Sequence, residues 1–173
     1  YYLNNIISMN NKEKLINIGI ISISDRAFKG IYTDKGIPTI KNVLNLSFKK
    51  SFKFQEEIIP DEQKLIENTI IKFSDKLSCD LILTTGGTGP SHRDVTPDAT
   101  TNVCNKILPG FGELLRRISY EIIETSIVSR QTAGIRNNSL IVNFPGNPKS
   151  IEETLPSIIN PIMHTLDLLK EEK

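Results

Sequence analysis

The chain has 173 residues, a length typical of a single domain. It carries 21 Lys and Arg against 20 Asp and Glu, so its net charge gives no broad attraction to nucleic acid or to an anionic membrane. No apolar stretch approaches the ~20 residues that a membrane-spanning helix needs. We therefore expect neither nucleic acid nor a membrane as a partner, and any anion binding must come from a local site.

The two cysteines, Cys79 and Cys104, lie far apart in the sequence and fit neither a metal knuckle nor a redox pair. We expect them to be buried free thiols in a reducing cytosol, and hence a cytoplasmic protein. Residues 1–12 are rich in Asn and lack periodicity, which predicts a disordered tail. Residues 13–173 contain no linker or repeat and are expected to form one domain.

Strand and helix patterns alternate along the chain. In chain order we expect a strand at 16–24, a helix at 36–46, a strand at 52–59, a helix at 61–77, a strand at 81–85, helices at 97–107 and 111–123, and a strand at 139–144. One or two helices then finish the chain, with breaks expected at Pro156 and Pro161. This order predicts an α/β fold, a single-domain three-layer sandwich with a mostly parallel sheet and helices on both faces.

Ligands of such sheets bind outside the carboxyl ends of the strands. Four predicted strands are followed there by polar, acidic or glycine-rich segments. These segments contain Ser24, Asp25 and Arg26; Pro60 and Asp61; the glycine loop at 86–89; and Pro145, Gly146, Asn147 and Pro148. We expect them to meet on one rim of the sheet.

The glycine loop is the most informative of these segments. It leaves a short apolar strand and has three glycines in four positions, so its backbone can turn sharply and present N–H groups to an anion. The expected nucleotide- or phosphate-binding residues are Thr85, Gly86, Gly87, Thr88 and Gly89. No lysine follows as in a Walker A loop, and the spacing is not Gly-x-Gly-x-x-Gly. Neither a P-loop NTPase nor an ordinary NAD enzyme is supported.

Three aspartates, Asp25, Asp61 and Asp94, are expected to approach this loop. Mg²⁺ usually takes one or two carboxylates together with waters and substrate phosphate oxygens. The residues thus indicate metal-assisted phosphoryl or nucleotidyl transfer, with Arg26 or Arg93 adding positive charge.

Structural alternatives stay open for each charged residue at this stage. Asp61 could cap the following helix, and Asp94 could cap the next one or pair with Arg93. Asp25 and Arg26 could form a local ion pair. Arg130 could be either a surface charge or an anion clamp.

Several motifs in one order resemble the molybdenum-cofactor biosynthesis family. They are 84–90 (TTGGTGP), 93–100 (RDVTPDAT), 108–113 (LPGFGE), 129–131 (SRQ), 133–136 (AGIR) and 143–148 (NFPGNP). Within that family, 23–27 (ISDRA), 34–38 (DKGIP) and 59–62 (IPDE) look most like its adenylyl-transferring branch. The similarity runs over about residues 16–155.

The resemblance implies that the protein transfers AMP from ATP to the phosphate of molybdopterin, with Mg²⁺, and releases pyrophosphate. It implies that Asp94 binds the metal and is catalytic, and that Asp61 is catalytic or orients the pterin. The implied substrate-pocket residues are Ser24, Asp25, Arg26, Ser129, Arg130, Pro145, Gly146, Asn147 and Pro148. The implied partners are a molybdate-insertion protein and two further copies of the chain in a homotrimer.

Two other functions are compatible with the same residues. The protein could be a molybdopterin-binding accessory or scaffold relative without turnover. It could also be a nucleotide pyrophosphatase of related fold. Pyrophosphate release that depends on both ATP and molybdopterin would separate adenylyl transfer from both.

Overall fold

A six-stranded sheet forms the centre of the molecule, which a computed structural model describes for residues 15–171. The strands are β1 (Ile16–Ile23), β2 (Phe52–Ile59), β3 (Leu81–Thr85), β4 (Lys106–Ile107), β5 (Ala133–Arg136) and β6 (Ser139–Phe144). Their order in the sheet is β2-β1-β3-β6-β5-β4. The first four are parallel, whereas β5 and β4 are antiparallel to their neighbours. The predicted mostly parallel sheet is confirmed.

Helices connect the strands and cover the sheet. They are α1 (Asp25–Phe28), α2 (Gly36–Ser47), α3 (Gln63–Ile71), α4 (Thr96–Val103), α5 (Pro109–Tyr120) and α6 (Pro148–Glu171). α3 continues into a π-helical turn at Lys72–Lys76, and a 3₁₀ turn at Glu124–Val128 follows α5. No helix among residues 15–171 is long and apolar enough to cross a membrane.

Two apolar cores lie on opposite faces of the sheet, because successive side chains of a strand point in opposite directions. Ile18 and Ile20 of β1 belong to a core that includes residues of α2, α5 and α6. Ile21 and Ile23 belong to a second core with residues of α3 and α4. All of these isoleucines are almost completely buried. The predicted three-layer sandwich is therefore confirmed.

The edge of the sheet beyond β6 differs from the sequence prediction. The helix expected at 97–107 ends at Val103, because the chain then turns to form β4 against β5. The backbone N–H of Asn105 donates to the carbonyl of Ile135 at 2.7 Å, and the N–H of Leu108 donates to the carbonyl of Ala133 at 2.8 Å. Both strands are too short to give a recognisable alternation of polar and apolar residues.

The expected helix breaks at Pro156 and Pro161 are wrong, since α6 runs unbroken through both. Both prolines lie on the exposed side of the helix, so their missing N–H groups do not disturb the buried contacts. The opposite side of α6 buries Ile151, Leu155 and Ile158. Packing of this apolar side outweighs the local preference of proline to end a helix. The tail predicted at 1–12 lies outside the described residues.

Candidate functional site

A cleft of about 490 Å³ opens at the carboxyl ends of β1, β2, β3 and β6. All four strand ends contribute to its lining, and the sequence-predicted residues in it are Ser24, Asp61, Gly86, Gly87, Thr88, Gly89, Asp94, Ser129, Pro145, Gly146 and Asn147. The fold thus brings together residues as far apart in the chain as Ser24 and Asn147. A parallel sheet gives this result because its strands end on the same edge.

Other predicted residues lie beside this cleft rather than in it. Thr85 and Pro148 line a smaller cavity of about 90 Å³, which shares Ser24, Gly86 and other lining residues with the cleft. The side chains of Asp25, Arg26 and Arg130 line neither cavity. Asp25 and Arg130 contact residues of the rim. The guanidinium carbon of Arg26 lies 5.3 Å from the centre of the Tyr32 ring.

The glycine loop requires glycine at its first two positions. Gly86 has φ +102° and Gly87 has φ +62°, a region that residues with a Cβ rarely adopt. A Cβ on Gly86 would also overlap the carbonyl oxygen of Ile23, because the loop passes directly against the end of β1. The tight strand-to-helix turn and the exposed backbone therefore arise from the same residues.

Buried hydrogen bonds hold the carbonyl groups of this loop away from the cleft. Thr96, which is completely buried, donates from Oγ1 to the carbonyl of Gly86 at 2.9 Å and from its N–H to the carbonyl of Gly87 at 3.0 Å. Within residues 15–171, the N–H groups of Gly87, Thr88 and Gly89 have no acceptor. Free N–H groups on such a loop are typical of an anion site.

Asp25 and Asp61 bind one another's backbone. The N–H of Asp25 donates to Asp61 Oδ2 at 2.7 Å, and the N–H of Asp61 donates to Asp25 Oδ1 at 3.2 Å. Asp61 is therefore not the cap of α3, which begins at Gln63, two residues later than predicted. The loops after β1 and β2 are joined by this reciprocal pair.

Arg93, which follows the glycine loop in the chain, binds residues of the loops after β1 and β2. Its guanidinium donates from Nη2 to both carboxylate oxygens of Asp25 at 2.8 Å and from Nη1 to Glu62 at 2.8 Å. The alternatives that paired Asp25 with Arg26, or Asp94 with Arg93, are thus contradicted. Arg93 instead links the ends of three strands.

The Asp61 carboxyl group is the acid whose pKa is raised in this cleft. Burial is the largest cause of the raised pKa, and the neighbouring carboxylates of Asp25 and Asp94 add to it. Hydrogen bonding from the Asp25 N–H acts in the opposite direction. A carboxyl group with a raised pKa in a cleft is a frequent feature of functional sites.

Asp94 faces the other end of the loop. Its Oδ2 accepts a hydrogen bond from the N–H of Ser91 at 3.0 Å, and it does not cap α4. A Cβ placed on Gly89 would lie 2.8 Å from Asp94 Oδ2, while one on Gly87 would lie 3.2 Å from Asp61 Oδ1. Two carboxylates therefore lie against two glycines of one loop.

These carboxylates fit a metal that is only partly bound by protein. Residues 15–171 contain no cluster of three or more His, Cys, Asp or Glu side chains suited to hold a metal alone. Mg²⁺ commonly uses one or two carboxylates and completes its shell with water and substrate phosphate oxygens. Asp94, without an ion-pair partner among the described residues, and Asp61 are the candidates.

The sequence did not reveal the wall formed by the 3₁₀ turn after α5. Thr125, Ser126 and Val128 also line the cleft, next in the chain to the predicted Ser129. The Oγ atoms of Ser126 and Ser129 are buried and have no hydrogen-bond partner in the described part of the chain. No strand or glycine signal marks this turn in the sequence.

Tyr32 was also missed and lines both cavities. Its Oη lies 3.2 Å from the Oγ of Ser24, within hydrogen-bond distance. A large aromatic side chain that is 41% exposed beside a polar cleft is able to cover a flat ligand. Its place in the connection after β1 was the available signal, because such connections lie at the ligand-binding edge.

Comparison with known proteins finds relatives over most of the chain. Residues 19–165 match the family described as "Probable molybdopterin binding domain". The chain is 52% identical over 154 residues to the molybdopterin adenylyltransferase of Helicobacter pylori strain 26695, covering 89% of this chain and 88% of that protein. It is 51% identical over 143 residues to the molybdopterin adenylyltransferase of Escherichia coli K12, covering 83% and 73% respectively.

A solved structure agrees with these sequence matches. The molybdopterin biosynthesis enzyme MoaB from Thermus thermophilus superposes with a TM-score of 0.81 at 35% identity. The similarity covers 90% of this chain and 96% of that one.

Proposed function

Because this chain belongs to the molybdopterin binding domain family, we propose that it is a molybdopterin adenylyltransferase in molybdenum cofactor biosynthesis. The observation that carries this proposal is the position of Asp61 and Asp94 against Gly87 and Gly89 in one cleft. The free N–H groups of the loop suit the phosphates of ATP, and the carboxylates suit a divalent cation. The relatives named for this activity are about half identical over most of the chain.

In the proposed reaction a phosphate oxygen of molybdopterin attacks the α-phosphorus of ATP. A new P–O bond forms, and the bond between the α-phosphorus and the oxygen bridging to the β-phosphorus breaks. The electron pair leaves with pyrophosphate, and the product is adenylyl-molybdopterin. The attacking phosphate is already ionised, so no strong protein base is needed, and catalysis depends on positioning and charge stabilisation.

The residues divide between the two substrates. We assign the phosphates of ATP to Thr85, Gly86, Gly87, Thr88 and Gly89. The pocket around them contains Ser24, Ser129, Pro145, Gly146, Asn147 and Pro148, with Asp25, Arg26 and Arg130 at its border. The position of Ser129 on the wall of the cleft, beside Gly86 to Gly89, supports this assignment.

We assign Mg²⁺ to Asp94, with Asp61 in a supporting catalytic or pterin-orienting role. When bound, the metal would neutralise charge on the triphosphate. Asp94 keeps its loop turned through its bond with the Ser91 N–H, so its other oxygen stays available.

The test is Mg²⁺-dependent pyrophosphate release from ATP, with and without molybdopterin, by wild type and by Asp94→Asn. The asparagine can still accept from Ser91, so the loop turn is kept while the charge is removed. We expect release that requires molybdopterin and a fall of about 100-fold or more in the variant. Asp167→Asn, which removes an exposed carboxylate paired with Lys50, is the matched control and should leave the rate unchanged.

Two results would contradict this assignment. Release without molybdopterin would make the protein a nucleotide pyrophosphatase. Tight molybdopterin binding without release would make it an accessory or scaffold relative.

We further propose a cytoplasmic homotrimer that passes its product to a molybdate-insertion protein. Two free thiols, Cys79 and Cys104, are consistent with this location, because free cysteines are typical of a reducing compartment. Burial raises their pKa to about 12 and about 11, which lowers their reactivity. Light scattering should give the mass of three chains of 19.4 kDa, and a monomer mass would overturn the assembly. Co-purification with the insertion protein in the presence of product would test the partner.

A further inference from the structure

Arg130 joins three parts of the site. Its backbone N–H donates to the carbonyl of Thr88 at 2.8 Å, and its Nε donates to the carbonyl of Gly89 at 3.0 Å. Its Nη2 donates to the carbonyl of Asp94. Its Nη1 and Nη2 bind the carboxylate of Asp98 at 3.0 and 2.8 Å. One side chain therefore contacts both ends of the loop segment 89–94 and the first turn of α4.

This arrangement leaves the guanidinium little capacity for a substrate. Each of its three nitrogens already donates to a protein acceptor, and its charge is paired with the carboxylate of Asp98. The ion pair lowers the pKa of Asp98. The Arg130 side chain also does not line the cleft. An anion clamp would instead direct free N–H groups toward the ligand.

The contacts of Arg130 control where two functional groups lie. Gly89 presents one of the free N–H groups of the loop, and Asp94 carries the carboxylate that faces it. Their two carbonyls are bound by one rigid, planar guanidinium, so its geometry fixes the separation between them. A lysine has the charge but lacks the fork that would bind both carbonyls and Asp98 together.

From this geometry we infer that Arg130 is a positioning residue, which acts on adenylyl transfer by holding segment 89–94 and not by contacting substrate. The inference rests on the proposed function for its catalytic readout. Displacement of reacting groups by about 1 Å can lower a rate by about 100-fold. We therefore expect Arg130→Lys to lower kcat/KM for ATP by about that factor.

The variant Asp98→Asn distinguishes a positioning role of Arg130 from direct binding of ATP by Arg130. If Arg130 acts through the loop, removing its charged anchor should reproduce most of the loss. The double variant should then be little worse than Arg130→Lys alone, because both changes disrupt one unit. If Arg130 binds ATP directly, Asp98→Asn should leave kcat/KM unchanged or raise it, since the guanidinium is released toward the substrate.

Hydrogen exchange of the substrate-free protein supplies a readout that needs no activity. We expect faster exchange in the peptide covering 86–95 for Arg130→Lys and for Asp98→Asn. Arg136→Lys is the matched control, because Arg136 likewise binds one carboxylate, Asp75, and one carbonyl, Val103, but away from the cleft. That control should leave both the exchange at 86–95 and kcat/KM unchanged, although its thermal stability falls.

The outcomes distinguish the inference from the function on which it rests. Unchanged exchange at 86–95 in both variants, or wild-type kcat/KM in Asp98→Asn, would overturn the positioning role. Absence of pyrophosphate release by wild type would overturn the proposed function only. The exchange experiment would then decide by itself whether Arg130 holds the loop.

Discussion

Asp61 lies close to two other carboxylates, those of Asp25 and Asp94, in a partly buried position. Burial first, and then these neighbours, raise the pKa of its carboxyl group. When the pKa of a carboxyl group is higher in the folded protein than in the unfolded chain, ionisation of that group destabilises the folded state. The destabilisation is complete above the folded-state pKa. This destabilisation disappears as the pH falls below the pKa of about 3.9 that Asp61 has in the unfolded chain.

We predict that Asp61→Asn stabilises the protein at pH 7 while it lowers adenylyl transfer. The amide oxygen can still accept from the Asp25 N–H, but the like-charge repulsion is removed. A gain of about 1 kcal/mol corresponds to a rise in Tm of roughly 2–4 °C for a chain of this size. The gain should fade as the pH falls toward 4. An unchanged or lower Tm at pH 7 would contradict the raised pKa.

At the scale of residues, the sequence predicts which contiguous motifs carry site residues. It does not predict which distant side chains these residues bind. Gly86, Gly87 and Asp61 lie within two residues of a strand end and Asp94 lies in the connection after β3, so their meeting at one edge follows from sheet topology. Arg93 binds Asp25, and Arg130 binds Asp98, across separations of 68 and 32 residues in the chain. No local spacing rule connects such pairs, because only tertiary packing brings them together.

At the scale of elements, α6 shows packing prevailing over local preference. It contains two prolines within its 24 residues, both on the exposed side. An interior proline removes one backbone hydrogen bond and costs about 3 kcal/mol in a helix. The buried side of α6 belongs to the core shared with α2 and β6, and this contact holds the helix in one piece.

We predict that Pro156→Ala stabilises the protein, because alanine restores an N–H donor without disturbing a buried contact. Part of the gain is offset by the greater freedom of the unfolded chain. A net gain of about 1 kcal/mol would raise Tm by roughly 2–4 °C. Ser157→Ala, at the adjacent exposed position, is the control for helix propensity alone. A fall in Tm for Pro156→Ala would contradict this prediction.

The balance between local sequence preference and tertiary packing also explains which elements could be predicted from the sequence. β2, β3 and β6 have the expected bounds because each carries three or four β-branched or aromatic residues, which favour strands. β4 has only two residues, both exposed, and β5 has only four residues, which is too few for a recognisable pattern. The 3₁₀ turn at Glu124–Val128 has no periodicity of its own and depends on contacts with α5.

At the scale of the whole molecule, a few ion pairs tie separate layers together. Arg136, at the end of β5, binds Asp75 of the π-helical turn at 2.6 Å, and the two side chains are 21% and 31% exposed. This hydrogen-bonded pair lowers the pKa of Asp75. Its contribution to stability is complete above the unfolded pKa of about 3.9 and is lost as the pH falls through the lower, folded value.

We predict that Asp75→Asn lowers Tm at pH 7 by roughly 2–4 °C, corresponding to about 1 kcal/mol. The difference from wild type should shrink below about pH 4, where Asp75 of the unfolded chain is already protonated. Thermal unfolding across pH 3–7 measures this directly. Asp167→Asn removes a half-exposed surface pair and should change Tm little at any pH. An Asp75→Asn deficit that persists unchanged at pH 3 would indicate a packing effect instead.

The reciprocal hydrogen bonds between Asp25 and Asp61 also restrict which loop segments can be replaced by those of a related protein. Each aspartate uses its side chain to complete the other's backbone, so neither loop contains all the information for its own shape. A graft that replaced only the segment after β1 would leave the segment after β2 without its acceptor. Insertions and deletions in either segment face the same restriction. The two loops form one transferable module, although 36 residues separate them in the chain.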